Sequence, residues 1–396
     1  MAQEHTFQTK AYLRLKHYFV DATIDTMQQD AQTVVIIGGG ATGTGIAREA
    51  AERGYKVILI ERGKLGSGTS GRFHGILHSG ARYAVNDPLV AADCYQENQR
   101  LRQMISSAIT DSGGMFVALN SEEAQHAKTL LRACRVAGIP TTEITVSEAL
   151  RLEPQLTPDL TAAFLVPDGF VDGAELMRLN KAAALSAPFP ARFLTGHTVV
   201  GFKIDASRIS AVSVQDLSSG KIEHLACDQV INAAGVWAGQ IAKLALVDLD
   251  MVFDKGSMIV FKDQFSQRVI NRCRPEDDGD LLVPHAGQSI MGTTARVITD
   301  PDDNRPTQEE IDVLISEGSA MIPAIQSARA VRIYAGVRPL LNDHAIAKNT
   351  RSISRSFRVI DHSHEGVANF TSVVGGKITL FRLMAQATVD ALVLKS

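Results

Sequence analysis

Near the N-terminus the apolar residues form a short β-branched run, Val34 to Ile37, with no polar alternation. A run of that length and type predicts a strand covered on both faces, as in a parallel sheet. Three glycines follow, and a helical pattern runs from about Thr44 to Arg53, where Gly54 stops it. Lys56 to Ile60 predicts a second strand, ending at Glu61, so the opening is a βαβ unit. From His197 the pattern changes to alternating strand-like runs, TVVGFKID, ISAVSVQD and KIEHLACDQV, with Ser218–Gly220 as a turn between the last two. Val230 to Gly235 is another apolar strand running into a small-residue turn. Strands and helices mix over 251–345, with an acidic, proline-bearing loop from Thr299 to Pro306. The chain closes with a strand, the double glycine Gly375–Gly376 and an amphipathic helix.

Strands suited to a nucleotide site thus occur at the beginning, middle and end of the sequence. The simplest geometry is one nucleotide-binding domain built from separate segments, with a second domain inserted as excursions. The expected divisions are an N-terminal arm over 1–30, nucleotide-binding segments over 31–110, 166–240 and 346–396, and mixed α+β substrate segments over 111–165 and 241–345. Leu13 to Met27 predicts a short surface helix within the arm.

Net charge is -3, which argues against a nucleic-acid partner. Charged residues make up 21% and hydrophobic residues 45%, an ordinary globular balance over 396 residues, enough for two cores. The four cysteines, Cys94, Cys134, Cys227 and Cys273, form no C-x-x-C pair and read as reduced thiols of a cytoplasmic protein. No metal site is expected. No uncharged stretch is long enough to span a bilayer.

Gly38, Gly40 and Gly43 fit G-x-G-x-x-G directly after a strand and at the opening of a helix. The first glycine permits the turn, the second admits a pyrophosphate to the backbone, and the third allows helix and strand to pack closely. The helix N-terminus, with Ala41 and Thr42, offers free N–H groups and a positive dipole end to the phosphates. Glu61, 23 residues after Gly38, is placed for a ribose hydroxyl. A simple NAD dehydrogenase would continue with more βα units. Here Ser67 to Ala84 is instead an irregular loop rich in glycine, serine and basic residues, suited to wrapping a large anionic cofactor.

Six segments then resemble, in order, the FAD-dependent glycerol-3-phosphate dehydrogenase family: the glycine-rich opening, GTSGRFHGILHSGARYAV, VINAAGVWAG, MGTTARV, YAGVRPLL and VVGGKITLFRLMA. HGILHSGARYAV and VINRCRPEDDGDLLVP resemble most the large flavin subunit of the anaerobic enzyme. The resemblance runs from about Thr33 to the C-terminus. It implies an α/β Rossmann-type fold of the D-amino-acid-oxidase-like flavoproteins. It also implies FAD as cofactor and oxidation of sn-glycerol 3-phosphate to dihydroxyacetone phosphate by hydride transfer from C2 to flavin N5. FAD contacts are expected from the glycine turn, Glu61, Arg62, Thr69, Ser70, Arg72, His74, Gly75, Ala234, Gly235, Gly375, Gly376, Lys377 and Ile378.

By the same resemblance, Arg82, Tyr83, Arg338, Lys377 and Arg355, with Arg351 and Arg358 as rivals for that last position, are expected at the substrate phosphate or beside it, and Thr293 and Thr294 line the site. Arginine suits that task because its planar fork binds phosphate bidentately. The catalytic candidates are His78, Arg338 and Lys377. His78 is the first choice of base, with a role as a plain hydrogen-bonding residue equally open. His74 reads as structural or flavin-facing. The aerobic members have a histidine where this chain has Met258, which leaves the base open. Trp237 reads as packing. No cysteine follows Cys273, so the iron–sulfur motif of the C-terminal extension found in the anaerobic enzyme is not expected in this polypeptide. Electrons are expected to leave to a quinone or a partner protein of the same enzyme, with peripheral attachment to the cytoplasmic face of the inner membrane. The rival reading keeps the fold and oxidises an amino acid or 2-hydroxy acid, whose carboxylate needs fewer cations.

Overall fold

A computed structural model of the chain describes residues 31–342 and 356–393. The expected arm over 1–30, with its Leu13–Met27 helix, and Arg355 lie outside the described residues. Strand β1 (Thr33–Ile37), helix α1 (Ala41–Glu52) and strand β2 (Lys56–Glu61) form the expected opening unit. The six-stranded sheet runs in the order Phe357–Asp361, Phe370–Gly375, Gln229–Asn232, β1, β2, Arg192–Thr195. Every neighbouring pair is parallel except the first.

The two-residue period of these strands feeds two cores. Val34, Ile36, Val57 and Leu59 face Ile46, Ala47, Met384 and Val389 of the flanking helices. Val35, Ile37, Ile58 and Ile60 face Val199, Val212 and Val214. Those three belong to an antiparallel sheet of His197–Asp205, Arg208–Asp216 and Ile222–Ala226, as the alternating runs predict. Burial on both faces explains why β1 reads as a continuous apolar run.

Helix α1 starts at Ala41, three residues before the sequence pattern suggests. Its first turns hold Gly43 and Gly45, weak helix formers that mask the start. They are there for space. A Cβ on Gly43 would lie 1.8 Å from the Gly38 carbonyl oxygen, and one on Gly45 would lie 2.8 Å from the Phe381 ring. Phe381 opens the last helix, α2 (Phe381–Val393), which is preceded by a 3₁₀ turn at Ile378–Leu380.

The second large sheet is mixed and has nine strands. Its spine is β3 (Met251–Phe261), paired antiparallel along its whole length with β4 (Ala330–Leu341). The helix Gln308–Met321 packs Leu314 and Met321 against Ile259, Phe261 and Met291. Among the described residues, no helix is long and apolar enough to cross a membrane.

Candidate active site

A cavity of about 520 Å³ opens at the carboxyl ends of four adjacent parallel strands, where such folds bind ligands. Gly38 and Gly40 follow β1, Glu61 and Arg62 end or follow β2, Ala234 and Gly235 follow Gln229–Asn232, and Gly375 to Lys377 close the Phe370–Gly375 strand. The mixed sheet supplies the opposite wall through Leu281, Thr293, Arg338 and Leu340.

At one end the backbone is built for close approach. Gly38 has φ +110°, and a Cβ there would sit 2.4 Å from the Ala233 carbonyl oxygen. No side chain caps α1 at Gly40, although Ser70 Oγ accepts the Ala41 N–H at 2.9 Å. Glu61 is fixed by two N–H donors, Gly39 to Oε2 and Gly63 to Oε1, each at 2.7 Å. Ser67 Oγ also donates to Oε1 at 3.3 Å, so Oε2 keeps a second lone pair for a ligand hydroxyl. Thr69, Ser70, Thr42, His74 and Ile378 also line the cavity.

Three residues expected at the cofactor lie behind that lining. Gly43 makes room between helix and strand. Gly75 has φ +86° and faces the Phe170 ring, 2.1 Å from where its Cβ would be. Arg72 presents its carbonyl to Gly336 of β4, whose Cβ would lie 2.2 Å from that oxygen. Trp237, read as packing, instead lines the cavity. The Arg62 guanidinium lies 4.4 Å from its ring centre, and its indole N–H donates to Asp302 at 3.2 Å.

The other end gathers charge. Arg82 donates to Asp280 at 2.7 Å and lies 4.0 Å from Glu276. Burial opposes the Arg82 charge, but Asp280 and then Glu276 outweigh it and push its pKa further up. Arg338 donates to Asp254 at 2.8 Å and to Thr293 Oγ1 at 2.7 Å. Lys377 Nζ sits 3.6 Å from the Tyr83 ring centre, a close cation–π contact. Thr294 is fully buried and does not line the cavity. Its hydroxyl donates to Glu310 and accepts the Ser257 N–H, so Thr293 is the hydroxyl that faces the site.

The two histidines stand edge to face, 5.5 Å apart. Burial, then the charges of Arg338 and Arg82, push His74 down to about 3. Burial first, then His74, Lys377 and Arg82, hold His78 well below its ordinary value. Both imidazoles are therefore neutral at neutral pH. His74 Nδ1 accepts the Ile76 N–H at 3.1 Å, so its own proton is on Nε2. His78 Nε2 lies 3.3 Å from the Tyr83 hydroxyl. Met258 is buried against Ile76 and Phe170 and is not part of the lining.

Of the threonine pair read as lining the site, Thr293 does so; sequence reasoning missed Asp254, Asp280 and Glu276. Asp280 and Glu276 lie in VINRCRPEDDGDLLVP, yet a pairing across 198 residues, as between Arg82 and Asp280, leaves no local signal. The glycine turn, uncapped helix end, fixed carboxylate and double glycine fit a long dinucleotide with an anionic middle and a ring system at the cationic end.

Fold and cavity together define a dinucleotide-dependent flavoprotein oxidoreductase. Residues 33–391 match the family model described as FAD dependent oxidoreductase. The chain is 39% identical over 369 residues to one of the subunits of anaerobic glycerol-3-phosphate dehydrogenase from Escherichia coli strain K12, covering 92% of this chain and 68% of that one. It belongs to the FAD-dependent oxidoreductase family and, within it, groups with that subunit type of anaerobic glycerol-3-phosphate dehydrogenase. In fold it matches glycine oxidase from Geobacillus kaustophilus with a TM-score of 0.76 at 22% identity, over 92% of this chain and 96% of that one. It also matches the FAD-complexed glycerol-3-phosphate dehydrogenase from Bacillus halodurans with a TM-score of 0.69 at 22% identity, over 94% and 66%. FAD is the cofactor, as the resemblance implies, and the fold is of the D-amino-acid-oxidase type.

Proposed function

We propose that this chain oxidises sn-glycerol 3-phosphate to dihydroxyacetone phosphate. The observation that carries the reading is the meeting of Arg82, Arg338, Lys377 and the Tyr83 hydroxyl at one end of the FAD cavity. A phosphate dianion asks for several fixed cations, whereas a carboxylate is satisfied by one arginine fork. The name of the Escherichia coli relative supports the same substrate.

In this reading Gly38–Thr42 would hold the pyrophosphate of FAD and Glu61 its ribose. Gly375, Gly376 and Lys377 would flank the ring. When bound, FAD supplies the two-electron acceptor for oxidation of a secondary alcohol. Arg82, with Tyr83, holds the substrate phosphate. Remote binding energy of this kind orients the reacting carbon. His78, neutral and enclosed, is placed to take the proton of the C2 hydroxyl. Arg338 and Lys377 stabilise negative charge developing on the C2 oxygen and on the ring. That the relative is named as a subunit supports electron exit to a partner protein or a quinone, and a quinone acceptor would go with peripheral attachment at the cytoplasmic face of the membrane.

The test is turnover with an artificial dye acceptor. Glycerol 3-phosphate should be oxidised with a kcat/KM at least about a thousandfold above that of glycerol, the scale of a few charge-assisted hydrogen bonds. Equal values for the two alcohols would remove phosphate from the account.

A further inference from the structure

Two carboxylates address Arg82, and they do so differently. Asp280 is fully buried, with both oxygens committed. Oδ2 accepts from Arg82 and from the Asp277 N–H at 2.7 and 2.6 Å, and Oδ1 accepts from Arg274 Nε at 2.6 Å. Behind it the charges alternate through Arg274, Glu317, Arg272 and Glu123. This ladder reaches the helices Gln308–Met321 and Ser121–Val136, so Asp280 cannot shift without disturbing two elements. Glu276 is different. Its carboxylate faces the cavity, and its 4.0 Å approach to Arg82 Nε is too long for a hydrogen bond.

We propose that Glu276 is a displaceable counterion, which the substrate phosphate replaces at Arg82, and that Asp280 is the fixed counterion that aims Arg82 into the cavity. The inference rests on the phosphate reading above and deepens it. A carboxylate facing the phosphate position weakens anion binding and lets the product anion leave. Asp280 spends one edge of the guanidinium and leaves the remaining donors for the ligand. Glu276 therefore sets anion affinity at Arg82, and Asp280 is a positioning residue.

The experiment measures binding of inorganic phosphate to the FAD-loaded protein, read as a change in the flavin absorbance, together with kcat and KM for glycerol 3-phosphate. Glu276→Gln should bind phosphate about fivefold more tightly, the scale of one like charge removed at close range in a partly wet site. Its product release should slow. Asp280→Asn should act in the opposite sense, weakening phosphate about tenfold and raising KM more than it lowers kcat, with partial recovery in Asp280→Glu. Unchanged or weaker phosphate binding in Glu276→Gln overturns the displaceable role. Tightening in both variants reduces the pair to summed charge and overturns the division of roles. If Asp280→Asn fails to fold, Glu276→Gln alone decides. Wild-type protein that binds phosphate while Glu276→Gln is unaltered sinks this inference only; wild-type protein that binds no phosphate sinks the phosphate reading with it.

Discussion

Arg338 shows how one side chain serves chemistry and stability at once. It faces the cavity, yet it also neutralises Asp254, which is fully buried on β3. Removing the guanidinium takes an ion-pair partner from a buried carboxylate, so Arg338→Gln should destabilise the protein by about 3 kcal/mol as well as lowering kcat/KM. Adding Asp254→Asn should restore much of the melting temperature and none of the activity. Recovery of both together would contradict a direct role for Arg338. The histidines make a pH prediction. Their folded pKa values are depressed, so below the ordinary value near 6.5 the unfolded chain takes up protons that the folded chain does not. Stability is therefore fully present above about pH 6.5 and is lost as pH falls toward 3. Thermal denaturation across that window should show a shallower slope in His74→Gln; an identical slope would remove His74 as a contributor. At this scale the sequence is legible where chemistry dictates residue type, as at Gly38, Glu61 and Lys377. It is silent on Asp254 and Asp280, because the cavity arginines they hold, Arg338 and Arg82, lie 84 and 198 residues away.

The elements nearest the cofactor can be read because each carries its own local signal. The β-branched strand, glycine turn and helix stop follow one another within about thirty residues. The start of α1 is hidden because Gly43 and Gly45 serve packing against Gly38 and Phe381 at the expense of helix propensity. That trade is testable. Gly43→Val should force α1 away from β1, and purified protein should carry less than about a tenth of the wild-type flavin, since the third glycine of this turn sets helix–strand distance. Gly54→Ala is the control. It has positive φ, as Gly38 does, but nothing lies within 4 Å of its Cβ position. It should cost only about 1 kcal/mol of strain and keep its flavin. Equal flavin loss in both would mean that replacing any glycine of this unit releases the flavin, and that the close contact at Gly43 does not explain the motif.

Across the whole molecule, the arrangement of segments is legible in outline and the pairing is not. Glycine-ended strands at the start, middle and end suggest one sheet assembled from distant stretches. The order Phe370–Gly375, Gln229–Asn232, β1, β2 matches that idea, because all four present their carboxyl ends to one cavity. The nine-stranded sheet cannot be ordered from sequence. Its register, such as β3 against β4, is chosen by side-chain packing between strands about 80 residues apart. That sheet is what brings Arg338, Thr293 and Glu276 opposite the glycine turns, so the substrate end of the site depends on the long-range part of the fold. The central claim is that this combined cavity oxidises a phosphorylated alcohol. Its most direct test is anaerobic mixing of the FAD-loaded protein with glycerol 3-phosphate, and separately with glycerol, lactate, glycine and L-proline, while the flavin absorbance is followed. The account predicts rapid bleaching by glycerol 3-phosphate alone. Bleaching by lactate or an amino acid with none by glycerol 3-phosphate would contradict it and reassign the arginine cluster to a carboxylate.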